Sequence, residues 1–484
     1  MGTRALSVKC LIQVEIACPG FVDPRRSDGA LGFSGPAFQA AVEEGNRKYA
    51  GLLNFSLTFL SEEDYYYSRN RGNITASALA NVRDSGVEMV AEWYYTKRQF
   101  PISGMSVIIG TAGGDFTHLH ELAANWNILY LQTVAYTRSD YQLPASPVIA
   151  TIPFSVLGIS QTFINLLELY RWTTVYLVLD LDSPYIFNLF ATQLEDSLRA
   201  APSTFTVIKR DITSRSLERS SQGYNSILGD FTTLSRVMIF FGRADHLRRM
   251  LIDAWHRNMT NGEYVYVAWG TDDASKQPRV GNSTWSYGDH FDEVARRAFG
   301  SLLVVQQVEP IYTVQYKADL EDFLAELRRR ARVLFDTSYT ASEQPSQEVL
   351  SSYASIGMLA QVLNESLASN GEASLRDALT LGGMFLNRTF HNRFAELHID
   401  RTGIRRRPQS VVHTKRVSEQ IEAFLLESAD EPPILKTIRD ISIDWPSGAW
   451  PPLNEPLCGY KNDRRICQNS GWSQSGVTGC VMDI

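Results

Sequence analysis

Apolar residues recur along this chain of 484 residues in two alternating rhythms. Phe38, Ala41, Val42, Gly45 and Tyr49 fall at helical spacing and predict a first helix, with Ser34 and Pro36 as its start signals. "LLNFSLTFL" then alternates Leu53, Phe55, Leu57 and Phe59 with Asn54, Ser56 and Thr58, the period of a strand with one wetter face. A second helix is predicted from about Thr75 to Trp93, carrying Leu79, Val82, Val90 and Trp93. "SVIIG", the glycine turn "TAGGDF", the helical "HLHELAANW" and the strand "ILYLQTVA" make a βαβ unit.

A second series opens near Pro153, where "ATIPFS" is positioned to cross between two lobes. Helix "VLGISQTFINLLELYRW" leads to strand "TVYLVLDL", and helix "YIFNLFATQLEDSLRA" to "FTVIKRDI". "RVMIFFG", helix "ADHLRRMLIDAWHRNM", strand "YVYVAWG" and "SLLVVQQV" complete the series. Near-continuous apolar strands between amphipathic helices imply parallel sheets covered on both faces. From Ala318 to about Leu381 only helical patterning occurs, so this stretch is assigned back to the first lobe, and "AELHIDRTGIRRRPQSVVH" reads as a hairpin around "RTG". The fold class is therefore α/β, with two doubly wound lobes, a hinge and an interlobe cleft. The expected division is residues 1–153 with 311–400 for one lobe, 154–310 with about 401–440 for the other, and a Pro/Cys-rich tail at 441–484.

The tail opens as "ISIDWPSGAWPPLNEPLCGYKNDRRIC" from Ile441. Its prolines forbid both a helix and a central strand, because each lacks an N–H and blocks the preceding turn. Composition adds limits. A net charge of −7 argues against a bulk electrostatic grip on nucleic acid. The runs "RRRAR" (Arg328 to Arg332) and "RRR" (Arg405 to Arg407) read as a solvated helix face and a turn. No stretch is long and apolar enough to span a bilayer, and the first residues carry Lys9, Gln13 and Glu15 with no clean cleavage site for a signal peptide. Six N-x-S/T sequons, at Asn54, Asn73, Asn258, Asn282, Asn364 and Asn387, nonetheless point to the secretory pathway. The five cysteines, Cys10, Cys18, Cys458, Cys467 and Cys480, leave the body without one, so disulfides would clip only the ends and one thiol is left over.

Catalytic chemistry finds no anchor. "GTAGG" (Gly110 to Gly114) matches neither the dinucleotide fingerprint nor the P-loop and reads as a tight turn. His118 and His120 are two apart and point different ways on a helix, so no metal site is expected. No G-x-S-x-G elbow occurs, and no cofactor is called for. Asp180, Asp182, Asp272 and Asp273 end strands, where they either face a ligand or cap the next helix.

"GFSGPAFQAAVEEGNRKY", "SVIIGTAGGDFTHLHELAANWNILYLQT" and "YRWTTVYLVLD" together resemble the animal-receptor form of the type I periplasmic-binding-protein fold, the natriuretic-peptide-receptor-like ligand-binding region. The tail is similar to the juxtamembrane end of receptor guanylate cyclase ectodomains. The resemblance runs from about residue 30 to 467 and implies an extracellular, glycosylated, homodimeric sensor of a peptide or small molecule. It implies no enzyme activity in these residues, which contain no kinase-like or cyclase segment, and contact with a membrane only through a segment outside them. Position by position it implies that Thr111, Gly113 and Thr133 line the cleft from the first lobe and Asp182, Tyr185 and Asp272 from the second. It also implies a Cys458–Cys467 bridge in the tail. A lobe disulfide common in the family has neither of its cysteines here, which removes the family's usual frame for a chloride site at the same turn. The alternative reading is a solute-binding module of the same fold that traps an amino acid or other small molecule.

Overall fold

The first sheet is built on a strand that the helix and strand patterning above did not single out, β1 (Ile12–Gly20). The computed structural model describes residues 11–22, 29–61, 86–98, 104–110, 116–134, 147–153, 155–201, 204–220, 222–270, 285–308, 314–339, 345–394, 396–415, 421–428, 433–439, 441–456 and 458–460. It divides into two units, residues 1–159 with 308–407 and residues 160–307 with 408–484.

In the first unit, β1 pairs in parallel with β2 (Leu53–Ser61) on one side and β3 (Gly104–Gly110) on the other. β4 (Leu129–Gln132) and β5 (Val148–Ala150) extend the sheet in the order β2-β1-β3-β4-β5. Its period of two is strict: Val14, Ile16, Val107, Ile109, Leu129 and Leu131 enter one core, while Ala17, Ile108, Tyr130 and Val148 enter the other. The first core is covered by α1 (Leu31–Lys48) and by the return helices α10 (Val314–Leu334) and α11 (Gln347–Asn370). The second is covered by α2 (Gly86–Arg98) and α3 (Phe116–Trp126), whose Val90, Trp93, Leu119 and Ala123 pack there. Glu15 is the polar exception on that face, accepting hydrogen bonds from Thr58 Oγ1 (3.1 Å) and Trp93 Nε1 (3.4 Å).

Three local expectations are corrected. Pro36 does not start α1 but lies inside it, five residues after Leu31. The first turn is set from outside the helix, since Leu31 N and Gly32 N donate to Phe21 O and Val22 O at 2.6 and 3.2 Å. Ser34, read as a start signal, instead donates its hydroxyl back to Gly29 O and Ala30 O. Arg405 and Arg406, assigned to a turn, form the short strand β13, paired antiparallel to β12 (Glu396–Ile399). The "RTG" hairpin itself is present, its turn held by Asp400 Oδ1 accepting from Thr402 N, Thr402 Oγ1 and Ile404 N. Of the other basic run, Arg329 and Arg330 pair with Glu326 on α10, and Arg330 also with Glu43.

The second unit holds an eight-stranded sheet. β6 (Thr174–Asp180), β7 (Thr206–Ile212), β8 (Val237–Phe241), β9 (Val265–Gly270) and β10 (Leu302–Gln307) are parallel to one another. β14 (Gln409–Thr414), β15 (Ile421–Glu427) and β16 (Leu435–Thr437) add to the β10 edge antiparallel. The second sheet is thus mixed, against the all-parallel expectation. Helices α4 (Val156–Leu169), α5 (Tyr185–Ala200) and α8 (Ala244–His256) match the periodic stretches, whereas α6 (Ser214–Arg219), α7 (Asn225–Leu234) and α9 (Asp292–Ala298) were not singled out from the sequence. α12 (Ala378–Gly383) and β11 (Arg388–His391) complete the elements of the first unit.

Residues 441–460 carry no helix or strand where described, yet they are fixed to the second unit. Trp445 is 1% exposed, and its Nε1 donates to Gly262 O at 2.7 Å. Trp450 packs against Trp445, Trp172 and Tyr170 with ring centroids 4.7, 5.8 and 5.0 Å away. Asn454 Oδ1 accepts the Thr173 and Thr174 N–H groups at 2.7 and 3.1 Å, and Trp172 Nε1 donates to Pro452 O. This strap runs past the amino ends of β6 and β9. A side chain at Gly262 would meet Ser447 N at 2.4 Å, so the strap lies directly on that turn.

Candidate functional site

In an open α/β sheet the ligand crevice lies beyond the carboxyl ends of the strands, where successive crossovers leave in opposite directions. The first unit has its switch point between β1 and β3, the second between β6 and β8.

At the first unit's strand ends two threonines repeat one arrangement. Thr133 follows β4 and donates from both N (3.0 Å) and Oγ1 (2.6 Å) to Gly110 O at the end of β3. Thr151 follows β5 and donates in the same way to Gln132 O, at 2.9 and 3.0 Å. Its hydroxyl also shares a hydrogen bond with Ser355 Oγ of α11 at 2.7 Å. Arg405 reaches the same place: its Nη1 lies 3.3 Å from Thr151 O and 3.4 Å from Ser351 Oγ. A Cβ on Gly110 would come within 2.7 Å of the Tyr130 hydroxyl, so this strand end admits no side chain. His118 and His120 part as their spacing implies, His118 exposed beside Glu121 and His120 buried with Nε2 2.8 Å from Gln132 Oε1.

At the second unit's switch point Asp180, 1% exposed, is the hub. Its Oδ1 accepts from Asp182 N (3.2 Å) and Ser214 N (3.1 Å). Its Oδ2 accepts from Ser183 Oγ (2.7 Å) and His246 Nδ1 (2.5 Å). Ser183 Oγ in turn accepts from Arg243 N, which ties the loop after β6 to the one after β8. Burial works against ionising Asp180, but the hydrogen bonds from His246, Ser183 and Ser214 N outweigh it and hold the carboxyl below its usual range. Burial likewise disfavours a charged His246, and the hydrogen bond and charge of Asp180 outweigh that, raising its pKa. A Cβ on Gly242 would lie 2.8 Å from Asp180 Cβ, so the two strand ends close up only because that residue is glycine. Although Ser, His and Asp meet here, serine and histidine both bond the same carboxylate oxygen. The histidine therefore does not face the hydroxyl as a base, and the set is not a nucleophilic triad.

Of the six ligand-facing residues named from the sequence, Thr111, Gly113 and Asp272 lie outside the described residues, as does the side chain of Tyr185, which opens α5. Thr133 and Asp182 sit at carboxyl strand ends of their respective units. Asp182 Oδ2 accepts Arg215 N at 2.8 Å in the first turn of α6, the capping use of such a carboxylate. Asp273 is outside the described residues. Sequence reading missed Thr151, Arg405 and His246. The first had a visible signal, since "LQT" and "IAT" are two apolar strands each closed by a threonine, whereas Arg405 and His246 had none.

Two doubly wound α/β units, each with a polar cluster at the carboxyl ends of its strands, define a ligand-binding protein with no activated nucleophile and no metal-ligand cluster among the described residues. The pattern of the receptor family ligand-binding region matches residues 34–409, well over half of the chain, and the chain belongs to that family. No curated protein matches it. No helix among the described residues is long and apolar enough to cross a membrane.

Proposed function

We propose that this chain is the extracellular sensor domain of a receptor-type guanylate cyclase-like protein, in which a bound peptide or small molecule alters lobe or dimer geometry and so governs cyclic GMP production across a membrane. The observation that carries this reading is the family match over 34–409 followed by a Pro/Trp-rich stretch strapped to the second unit. The bound ligand acts by differential affinity for the conformations it selects between. Thr111, Gly113 and Thr133 of the first unit, and Asp182, Tyr185 and Asp272 of the second, are the residues assigned to ligand contact. Cys458 and Cys467 are assigned to a bridge that keeps the end of the strap short.

The coding transcript provides the test. Downstream of Ile484 it is expected to encode a membrane helix, then kinase-like and cyclase segments. A transcript ending without them would overturn the cyclase assignment and favour a solute-binding module, for which Thr133, Thr151 and Arg405 supply polar contacts. Secretion from insect cells is expected to give a glycosylated homodimer. Among the sequons described, Asn258 and Asn387 are exposed on turns with φ of 57° and 49°, whereas Asn54 sits in β2 with its amide donating to Gln13 Oε1. Peptide mapping should therefore find glycan on the first two and none on Asn54.

A further inference from the structure

We propose that a cavity on the first unit, between α1, α11 and the turn after β11, binds a small amphipathic anion, an apolar body carrying a carboxylate. The cavity measures about 290 Å³ and is independent of the strand-end clusters. Ala41 and Gly45 of α1 and Ala354 and Gly357 of α11 line it, so small side chains leave a space that two ordinary helix faces would fill. A Cβ on Gly357 would meet nothing within 4 Å, which places that residue on the empty space itself. Small residues alone would mark only close helix packing.

The charges around the space select the ligand. Lys48 and Arg393 both line the cavity, and neither forms an ion pair among the described residues. Their cations rest instead near rings, Lys48 Nζ 5.5 Å from the centroid of Tyr49 and Arg393 5.2 Å from that of Phe394. The one carboxylate on the wall, Glu44, is engaged by the hydroxyl of the buried Tyr353. The wall is thus net positive over an apolar floor. A carboxylate entering between Lys48 and Arg393 gains two unused cations while its body covers Gly357 and Ala354. A volume at the lower end of the usual ligand-pocket range suits a single ring or short chain.

Phenylacetate, with phenylacetamide as its uncharged isostere, is titrated against the whole chain by saturation-transfer NMR. Each exposed cation is worth up to about fivefold in affinity, so with two of them phenylacetate is expected to bind about fivefold tighter than the amide. A Lys48→Gln/Arg393→Gln double variant removes that preference. Glu44→Gln removes a like charge and tightens phenylacetate binding about threefold. Gly357→Leu fills the cavity from a helical position that welcomes a side chain, so it keeps or raises the melting temperature while weakening binding more than about tenfold. Equal binding of acid and amide, unchanged binding in Gly357→Leu, weaker binding in Glu44→Gln, or no saturable binding below about 10 mM overturns the proposal.

Discussion

Asp180 shows how one residue can organise a strand end without being available to a ligand. Four donors occupy its two oxygens, so its role is to fix the loops after β6 and β8 relative to each other. Removing His246 leaves a buried carboxylate short of its cation, and His246→Ala is expected to destabilise the second unit by roughly 3 kcal/mol, measured by urea unfolding at pH 6. The pH dependence has a definite sign. His246 has a raised pKa, so its contribution is complete below its ordinary value of 6.5 and is lost as pH rises through the raised value. Asp180 has a lowered pKa, so its contribution is present above 3.8 and is lost as pH falls through the lowered value. The gap in stability between wild type and His246→Ala should be widest between those two pH values and narrow on the alkaline side. A gap that stays constant from pH 6 to 9 would contradict the ion pair.

At the scale of elements, the strap from residue 441 to 460 depends on aromatic burial and side chain to backbone hydrogen bonds, because its prolines exclude a backbone ladder. Trp445→Ala should cost about 3–5 kcal/mol, the range for emptying a buried tryptophan site. Asn454→Ala should cost less, about 1–2 kcal/mol, since it strips a partner from two backbone donors. Its sharper signature is hydrogen exchange: the Thr173 and Thr174 amides, protected by Asn454 Oδ1 at the start of β6, should exchange faster with the rest of that strand unchanged. The six steps of β6 from Thr174 to Asp180 span roughly 20 Å. One strand therefore joins the strap, held at Thr173 and Thr174, to the Asp180 hub.

For the whole molecule, two units with separate cores imply unfolding that is not a single transition. Calorimetry should resolve two components, with Trp445→Ala and His246→Ala lowering only the one belonging to the second unit. A single cooperative peak shifted as a whole by either variant would show that the units unfold together. A ligand that binds one unit's strand ends should raise that unit's component alone, by about 2.7 kcal/mol at a concentration one hundred times its Kd.

How much of this was written in the sequence depends on the range of the interaction concerned. The alternating Leu53, Phe55 and Leu57 of β2 and the apolar run of β6 identified strands, because period and burial are properties of short segments. "YIFNLFATQLEDSLRA" matched the bounds of α5 for the same reason, and the long body without a cysteine between Cys18 and Cys458 already implied packing over disulfides. What the sequence could not settle was set by partners far along the chain. α1 begins before Pro36 because carbonyls at the exit of β1 take up its first N–H groups. Cys18 is a buried free thiol in the central strand and not a clip at the chain end, with its ionisation pushed far up by burial. β14 to β16 turn a parallel sheet into a mixed one by adding to the β10 edge, a pairing that no local pattern encodes. Arg405 became part of a strand-end cluster only when the chain returned beside β5 from more than 250 residues away. Hydrophobic period fixes which face of a segment is buried, while tertiary structure alone decides which polar side chains from distant segments meet at the strand ends, because those contacts are pairwise and leave no periodic trace.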